Sequence, residues 1–181
     1  MLRKNDNRGI RQGYLVIELA VAIAIISLLV AVVAVAVVRG RAEAKEQKTL
    51  TDLAALRLAI IMLHDHTEKW PNGCPPDSVS NPEVGLDQVQ AGLSSQPLVG
   101  DQGDGCEWTS DDLTAWRGPY VTEGLHDPWG NEYVFDPDYV PYQNCGSKAT
   151  KPQEAYILSY GPNGVGLNVY DCDDIFIILR K

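Results

Sequence analysis

Basic residues are scarce where a protein that binds nucleic acid or anionic lipid would need them. From Thr51 to Lys181 the chain holds 7 Lys and Arg against 20 Asp and Glu, a balance of −13. A body of that sign repels phosphates and lipid headgroups and favours hard cations. No nucleic-acid partner is expected. No cysteine belongs to a C-x-x-C pair, which argues against a zinc ribbon. Gly161 to Gly166 lacks the Gly-Lys-Ser/Thr ending of a phosphate loop, no serine sits in a Gly-x-Ser-x-Gly elbow, and no cysteine has a histidine at a family spacing. Paired carboxylates of the glycosidase kind are on offer in any acidic domain. No catalytic residue is singled out, and no enzyme activity is expected. At 181 residues there is room for one domain of ordinary size.

Four cysteines are present, Cys74, Cys106, Cys145 and Cys172, all far apart. An even number behind an export-type N-terminus fits two disulfides made outside the cytoplasm. Three pairings remain open. His64 and His66 straddle Asp65, but positions two apart on a helix face different ways, so they read as a polar helix end. His126, before Asp127-Pro128, reads as a turn residue.

The apolar residues are concentrated. Leu19 to Val38 is twenty consecutive positions of Ala, Val, Ile and Leu, interrupted only by Ser27. As a helix this run measures about 30 Å, the hydrocarbon thickness of a bilayer. A secretory signal cleaved near Ala42-Glu43-Ala44 is one alternative, but cleavable apolar cores are usually shorter. A plain single-pass anchor is another. Lys and Arg barely orient it, because Arg3, Lys4, Arg8 and Arg11 precede the span and Arg39, Arg41, Lys45 and Lys48 follow it. A plain anchor leaves Glu18 unexplained, unless it sits at headgroup level. An ionisable group in a membrane segment costs a few kcal/mol and asks for a partner. Cleavage between Gly13 and Tyr14 would create an α-amine at Tyr14 able to neutralise Glu18 in the same subunit or a neighbour.

The basic leader ending in Gly13, followed by Tyr14-Leu15-Val16-Ile17-Glu18-Leu19 and an unbroken apolar helix, resembles the class III signal of type IV pilins and type II secretion pseudopilins. The resemblance implies a prepilin peptidase that cuts after Gly13 and methylates Tyr14. It also implies that Glu18 is needed for subunits to join the filament. The chain departs from the family pattern at Tyr14, usually Phe, at Leu15, usually Thr, and at Val35, often Pro. Without that proline the helix is expected to run unkinked.

Beyond Val38 the helix can continue, since residues 39 to 66 hold no proline and only Gly40 as a weak helix former. Leu50, Leu53, Leu56, Ile60 and Leu63 recur at steps of three and four, which predicts one buried stripe. Trp70-Pro71-Asn72-Gly73 ends it. Residues 71 to 120 carry six prolines and seven glycines, the composition of an irregular excursion. Cys74, Cys106, Trp108 and Trp116 tie part of it down. Strands are expected at Glu132–Phe135, Glu154–Tyr160 and Asp174–Leu179. The expected fold class is α+β: a long N-terminal helix packed on a small C-terminal antiparallel sheet. The expected parts are a leader at 1–13, a membrane or filament-core helix at 14–38, an amphipathic helix at 39–70, and a globular region at 71–181 with the excursion at 72–115.

Three further segments are similar to the major pseudopilins of type II secretion systems. They are Trp116-Arg117-Gly118-Pro119-Tyr120, Asp127-Pro128-Trp129-Gly130-Asn131-Glu132-Tyr133, and Ser159-Tyr160-Gly161-Pro162-Asn163-Gly164 with Asp173-Asp174-Ile175. Asp127-Pro128-Trp129-Gly130 and Gly161-Pro162-Asn163-Gly164 are also plain turn sequences, so the fold alone can require them. This resemblance implies a calcium site built by Tyr160, Asn163, Val165, Asp171 and Asp173, where Asn163 replaces an aspartate and Asp171 restores the charge. Cys145 is then the preferred partner of Cys172, leaving Cys74 with Cys106. The implied function is that of a pseudopilin-like filament subunit. It would wait in the inner membrane with its globular domain in the periplasm, and its partners would be copies of itself, minor pseudopilins, the inner-membrane assembly platform and the prepilin peptidase. A surface type IV pilin and a membrane-anchored binding domain remain the alternatives.

Overall fold

The structure, a computed structural model, describes residues 8–76, 83–103 and 106–179, with 8–13 and 101–103 described through their backbone alone. Helix α1 spans Arg8–Thr67. The chain divides after Ala44 into two compact units, described separately below.

The first unit is helix only. Every residue from Tyr14 to Ala44 is exposed. Val30 to Val38 is rich in β-branched residues, which are indifferent helix formers in water. In lipid the helix is favoured because each backbone group must find its partner within the segment. Ser27, the one polar residue in the run, returns its hydroxyl to the Ile23 carbonyl at 2.7 Å. It therefore brings no unpaired donor into an apolar phase.

In the second unit, α1 from Lys45 onward buries Thr49, Leu53, Leu56, Ile60, Leu63 and Thr67, a stripe with alternating steps of four and three. The stripe differs from expectation at its start. Leu50 is 39% exposed, and Thr49 takes the buried place. A threonine is tolerated there because its Oγ1 donates to the Lys45 carbonyl at 3.0 Å, as Thr67 does to Leu63 at 2.8 Å. The helix ends at Thr67, with Glu68 left-handed (φ 57°) and its N–H bonded to the His64 carbonyl.

The stripe packs on a four-stranded antiparallel sheet of order β1-β4-β5-β6, with β1 at Val84–Gly85, β4 at Val134–Tyr139, β5 at Glu154–Ser159 and β6 at Ile175–Ile178. Register places Phe135, Ile157 and Ile177 side by side, and the three join Leu53, Leu56, Ile60 and Leu63 in the main core. The alternate residues Val134, Leu158 and Phe176 point to the other face with Tyr139 and Tyr156. The sheet is thus apolar on both faces, and this part of the chain is α+β as expected.

Two expectations need amending. The strand expected at Glu132–Phe135 lies further on, because Glu132 is paired only through a bridge to His126 and β4 runs past Pro137. Pro137 has no N–H to give, and the register breaks between Asp136 and Tyr139. The described parts of the excursion at 72–115 are also more ordered than its composition implies. Besides β1 it contains a 3-10 turn at Val89–Ala91, a hairpin of β2 (Gly100–Gly103) with β3 (Cys106–Trp108), and α2 at Ser110–Ala115, started by a Thr109–Asp112 capping box. Leu86, Leu93 and Trp108 from this stretch are fully buried in the main core. The indole N–H groups of Trp108 and Trp116 donate to the carbonyls of Gln90 and Gly92 at 2.9 and 2.7 Å. Cys74 pairs with Cys106, and Cys145 with Cys172.

Ile60 is 1% exposed at the centre of the stripe. Ile60→Ala is expected to lower the unfolding free energy by about 2–5 kcal/mol, read as a shifted urea midpoint in detergent solution. Leu50→Ala is expected to change it by about 0.5 kcal/mol or less.

Candidate functional site

Two regions carry the residues singled out in the sequence. The first is the start of α1. Residues 1–7 of the expected leader lie outside the described residues, while Gly13 and Tyr14 fall within the helix. Glu18 is exposed and lies one turn from Tyr14, with Leu15, Leu19 and Ala22 around it. If the chain is cut at Gly13, the new amine of Tyr14 sits at a helix N-terminus on the same side as that carboxylate.

The second region joins the turn at Asp127–Asn131 to the loop between β5 and β6. Asp127 is buried, and its Oδ1 accepts the backbone N–H groups of Trp129 and Asn131, both at 2.9 Å. Its Oδ2 accepts from Asn131 Nδ2 at 3.1 Å and from Ser159 Oγ at 2.6 Å. Asn131 Nδ2 also donates to the Gly161 carbonyl, and Gly161 donates its N–H to Ser159 Oγ. The two turn motifs are therefore one hydrogen-bonded unit, which gives their residue types a structural reason. Lys45 lies over the Trp129 ring, 5.4 Å from its centroid, and Tyr133 donates its hydroxyl to Asp52 at 2.9 Å. Those contacts fasten the unit to α1.

Further along the loop, Asn163, Asp171 and Asp173 come together. Asn163 Nδ2 donates to Asp171 Oδ2 at 2.9 Å and to Asp173 Oδ1 at 2.6 Å, and its backbone N–H donates to Asp173 Oδ2 at 3.1 Å. Val165 joins through its N–H, which Asn163 Oδ1 accepts at 2.6 Å. Tyr160 turns its hydroxyl to Glu83 Oε2 at 3.0 Å. As arranged, this set does not fit a hard cation. Calcium takes six to eight oxygens, and here an amide nitrogen occupies the point on which the two carboxylates converge. Among the described residues no three His, Cys, Asp or Glu are grouped so as to hold a metal.

Asp136 is not singled out by the sequence, and Asp174 only as part of the acidic loop and the Asp173-Asp174-Ile175 segment, because their burial arises from tertiary contacts. Asp174 Oδ2 accepts from Tyr139 Oη at 2.6 Å and from the Asp171 N–H at 3.0 Å, while its Oδ1 is buried without a partner. Asp136 is 1% exposed, and its Oδ1 accepts the Asp138 N–H at 3.0 Å.

Neither a family model nor a curated protein matches the chain. Among solved structures it is similar to the major pseudopilin from the type 2 secretion system of enterohaemorrhagic Escherichia coli. The identity is 24% and the TM-score 0.44, over 77% of this chain and 90% of that one. A likeness of that size assigns no residue a role.

Burial pushes the Asp136 carboxyl up to about 8, helped by the neighbouring Asp138 carboxyl and the charge of Glu83 and opposed by the hydrogen bond from the Asp138 N–H. Burial likewise raises Asp174 to about 7 against the hydrogen bond from Tyr139, with the charges of Asp171 and Asp173 adding to the rise. Both values lie above the unfolded value of 3.8. Their contribution to stability is therefore complete below that value and is lost as pH rises through the folded values. The thermal midpoint is expected to fall between about pH 4 and pH 8, from the unfolded value to the two folded ones, and to level off above. Asp136→Asn is expected to flatten the fall, and a midpoint that rises with pH across this window would contradict the assignment.

Proposed function

We propose that this protein is a structural filament subunit of the pseudopilin kind, anchored in the inner membrane until it is stacked into a periplasmic filament that serves type II protein secretion. The observation that carries this reading is the start of α1: an apolar helix bare on every side, with Glu18 one turn after Tyr14 and a basic leader ahead of it. A helix apolar all round needs lipid or other helices about it. Glu18 in that setting needs a cation, and the amine of a neighbouring Tyr14 is the one that cleavage supplies. Pairing the two across subunits sets the axial offset at which one copy joins the next. In this reading the prepilin peptidase cleaves and methylates the chain. The assembly platform and minor pseudopilins then receive it, and the acidic bodies form the filament surface.

A surface filament of the type IV pilus kind is the second reading. What favours it is the long cysteine-bearing stretch at 72–115, which the Cys74–Cys106 disulfide closes.

The test is the mass and first residue of protein from native membranes, together with Glu18→Gln. We expect a chain beginning at methylated Tyr14, and a Glu18→Gln chain that is processed and membrane-bound yet absent from sheared filaments. A native chain beginning at Met1 or Lys45, or Glu18→Gln chains that assemble normally, would sink the proposal. Filament on the cell surface under wild-type expression would favour the second reading.

A further inference from the structure

Asn163 is placed so that its amide does for the loop between β5 and β6 what a bound cation would otherwise do. Two of the loop's three carboxylates, Asp171 and Asp173, are aimed at one nitrogen, at 2.9 and 2.6 Å. The amide cannot be turned over without loss. Its Oδ1 accepts the Val165 N–H at 2.6 Å, so reversal would set donor against donor there and oxygen against two carboxylates on the other side. The Asp173 N–H donates to Asp171 Oδ1 at 3.2 Å, which ties the two acids to each other as well.

A second, covalent feature delivers these acids without an ion. Cys172 lies between Asp171 and Asp173 and is bonded to Cys145, and its carbonyl accepts from Lys148 Nζ at 3.2 Å. The backbone of the turn is packed closely on the same residues. A Cβ at Gly161, where φ is +62°, would collide with the Asp173 carbonyl. These features hold the loop in its shape with amide, disulfide, ammonium and backbone groups.

We propose that Asn163 is an internal replacement for a divalent cation, so that this loop closes without calcium, and that an aspartate at the same position would make its closure calcium-dependent. With Asn163 the cluster has two negative charges and a donor for each. With aspartate it would have three charges and no side-chain donor, an arrangement that needs a hard cation to hold together.

The experiment uses the full chain in detergent, with calcium chloride as the probe, read by titration calorimetry and by thermal unfolding against EDTA. The wild type is expected to give no saturable heat and the same midpoint in both buffers. Asn163→Asp is expected to lose several degrees in EDTA and to recover them, with saturable binding, in calcium. Asn163→Ala is expected to lose stability equally in both. Saturable calcium binding that raises the wild-type midpoint would overturn the proposal, and so would an Asn163→Ala chain as stable as wild type. Should Asn163→Asp fail to fold, the wild-type titration and Asn163→Ala still decide the matter. These readouts concern folding and ion binding, so they stand whether or not the chain polymerises.

Discussion

A helix that is apolar on every side for twenty residues cannot be satisfied by the chain that carries it. Each fully buried aliphatic side chain is worth about 1.5–3 kcal/mol, so exposing the run from Leu19 to Val38 to water would cost on the order of tens of kcal/mol. The residues from Tyr14 to Ala44 are nonetheless all uncovered, and lipid or other helices must do the covering. Between those two there is little hydrophobic preference, since acyl chains are as apolar as leucine. Close packing and polar pairing decide, and Glu18 is the polar group available to do it. The filament reading depends on this one asymmetry: a carboxylate that tolerates lipid poorly and is relieved by a neighbour's amine.

The body solves a different problem, that of an acidic domain with few cations. Its carboxylates are met largely by neutral donors. Asp127 is held by Ser159, Asn131 and backbone N–H groups, Asp174 by Tyr139, Glu83 by Tyr160, and Asp171 with Asp173 by Asn163. Neutral partners keep their strength in salt, where surface ion pairs are screened. Where burial and acidic neighbours outweigh those donors, as at Asp136 and Asp174, the carboxyl is raised above the range of exposed aspartates. The same economy ties two turns together: the turn after Asp127 and the start of the β5–β6 loop share one hydrogen-bonded unit, and the Cys74–Cys106 disulfide closes the stretch that composition alone marks as irregular.

What was legible in the sequence is what local periodicity and local chemistry encode. The apolar run, the Leu53 to Leu63 stripe and the strands at Glu154 and Ile175 follow from side-chain spacing, and the α+β architecture follows from their order. The structure departs from the local pattern where a hydrogen bond or a packing contact outweighs it. Thr49 replaces Leu50 in the core because its hydroxyl is satisfied by the helix itself. The β4 strand passes Pro137 because pairing with β5 resumes at Tyr139. The stretch at 72–115 is rich in proline and glycine, yet the burial of Leu86, Leu93 and Trp108 orders its core-facing parts. Asn163 was legible as a member of the loop, but the direction of its amide was not, because that depends on which partners the fold brings to each end.

The central claim is that the bare face of α1 ends up against copies of the same chain. A photo-crosslinking amino acid placed at Val30, which is 60% exposed in the middle of the apolar run, tests it directly in cells that make the native assembly machinery. The account predicts a ladder of adducts at multiples of the subunit mass, lost in the Glu18→Gln background. Adducts to lipid alone, with no ladder in either background, would contradict it.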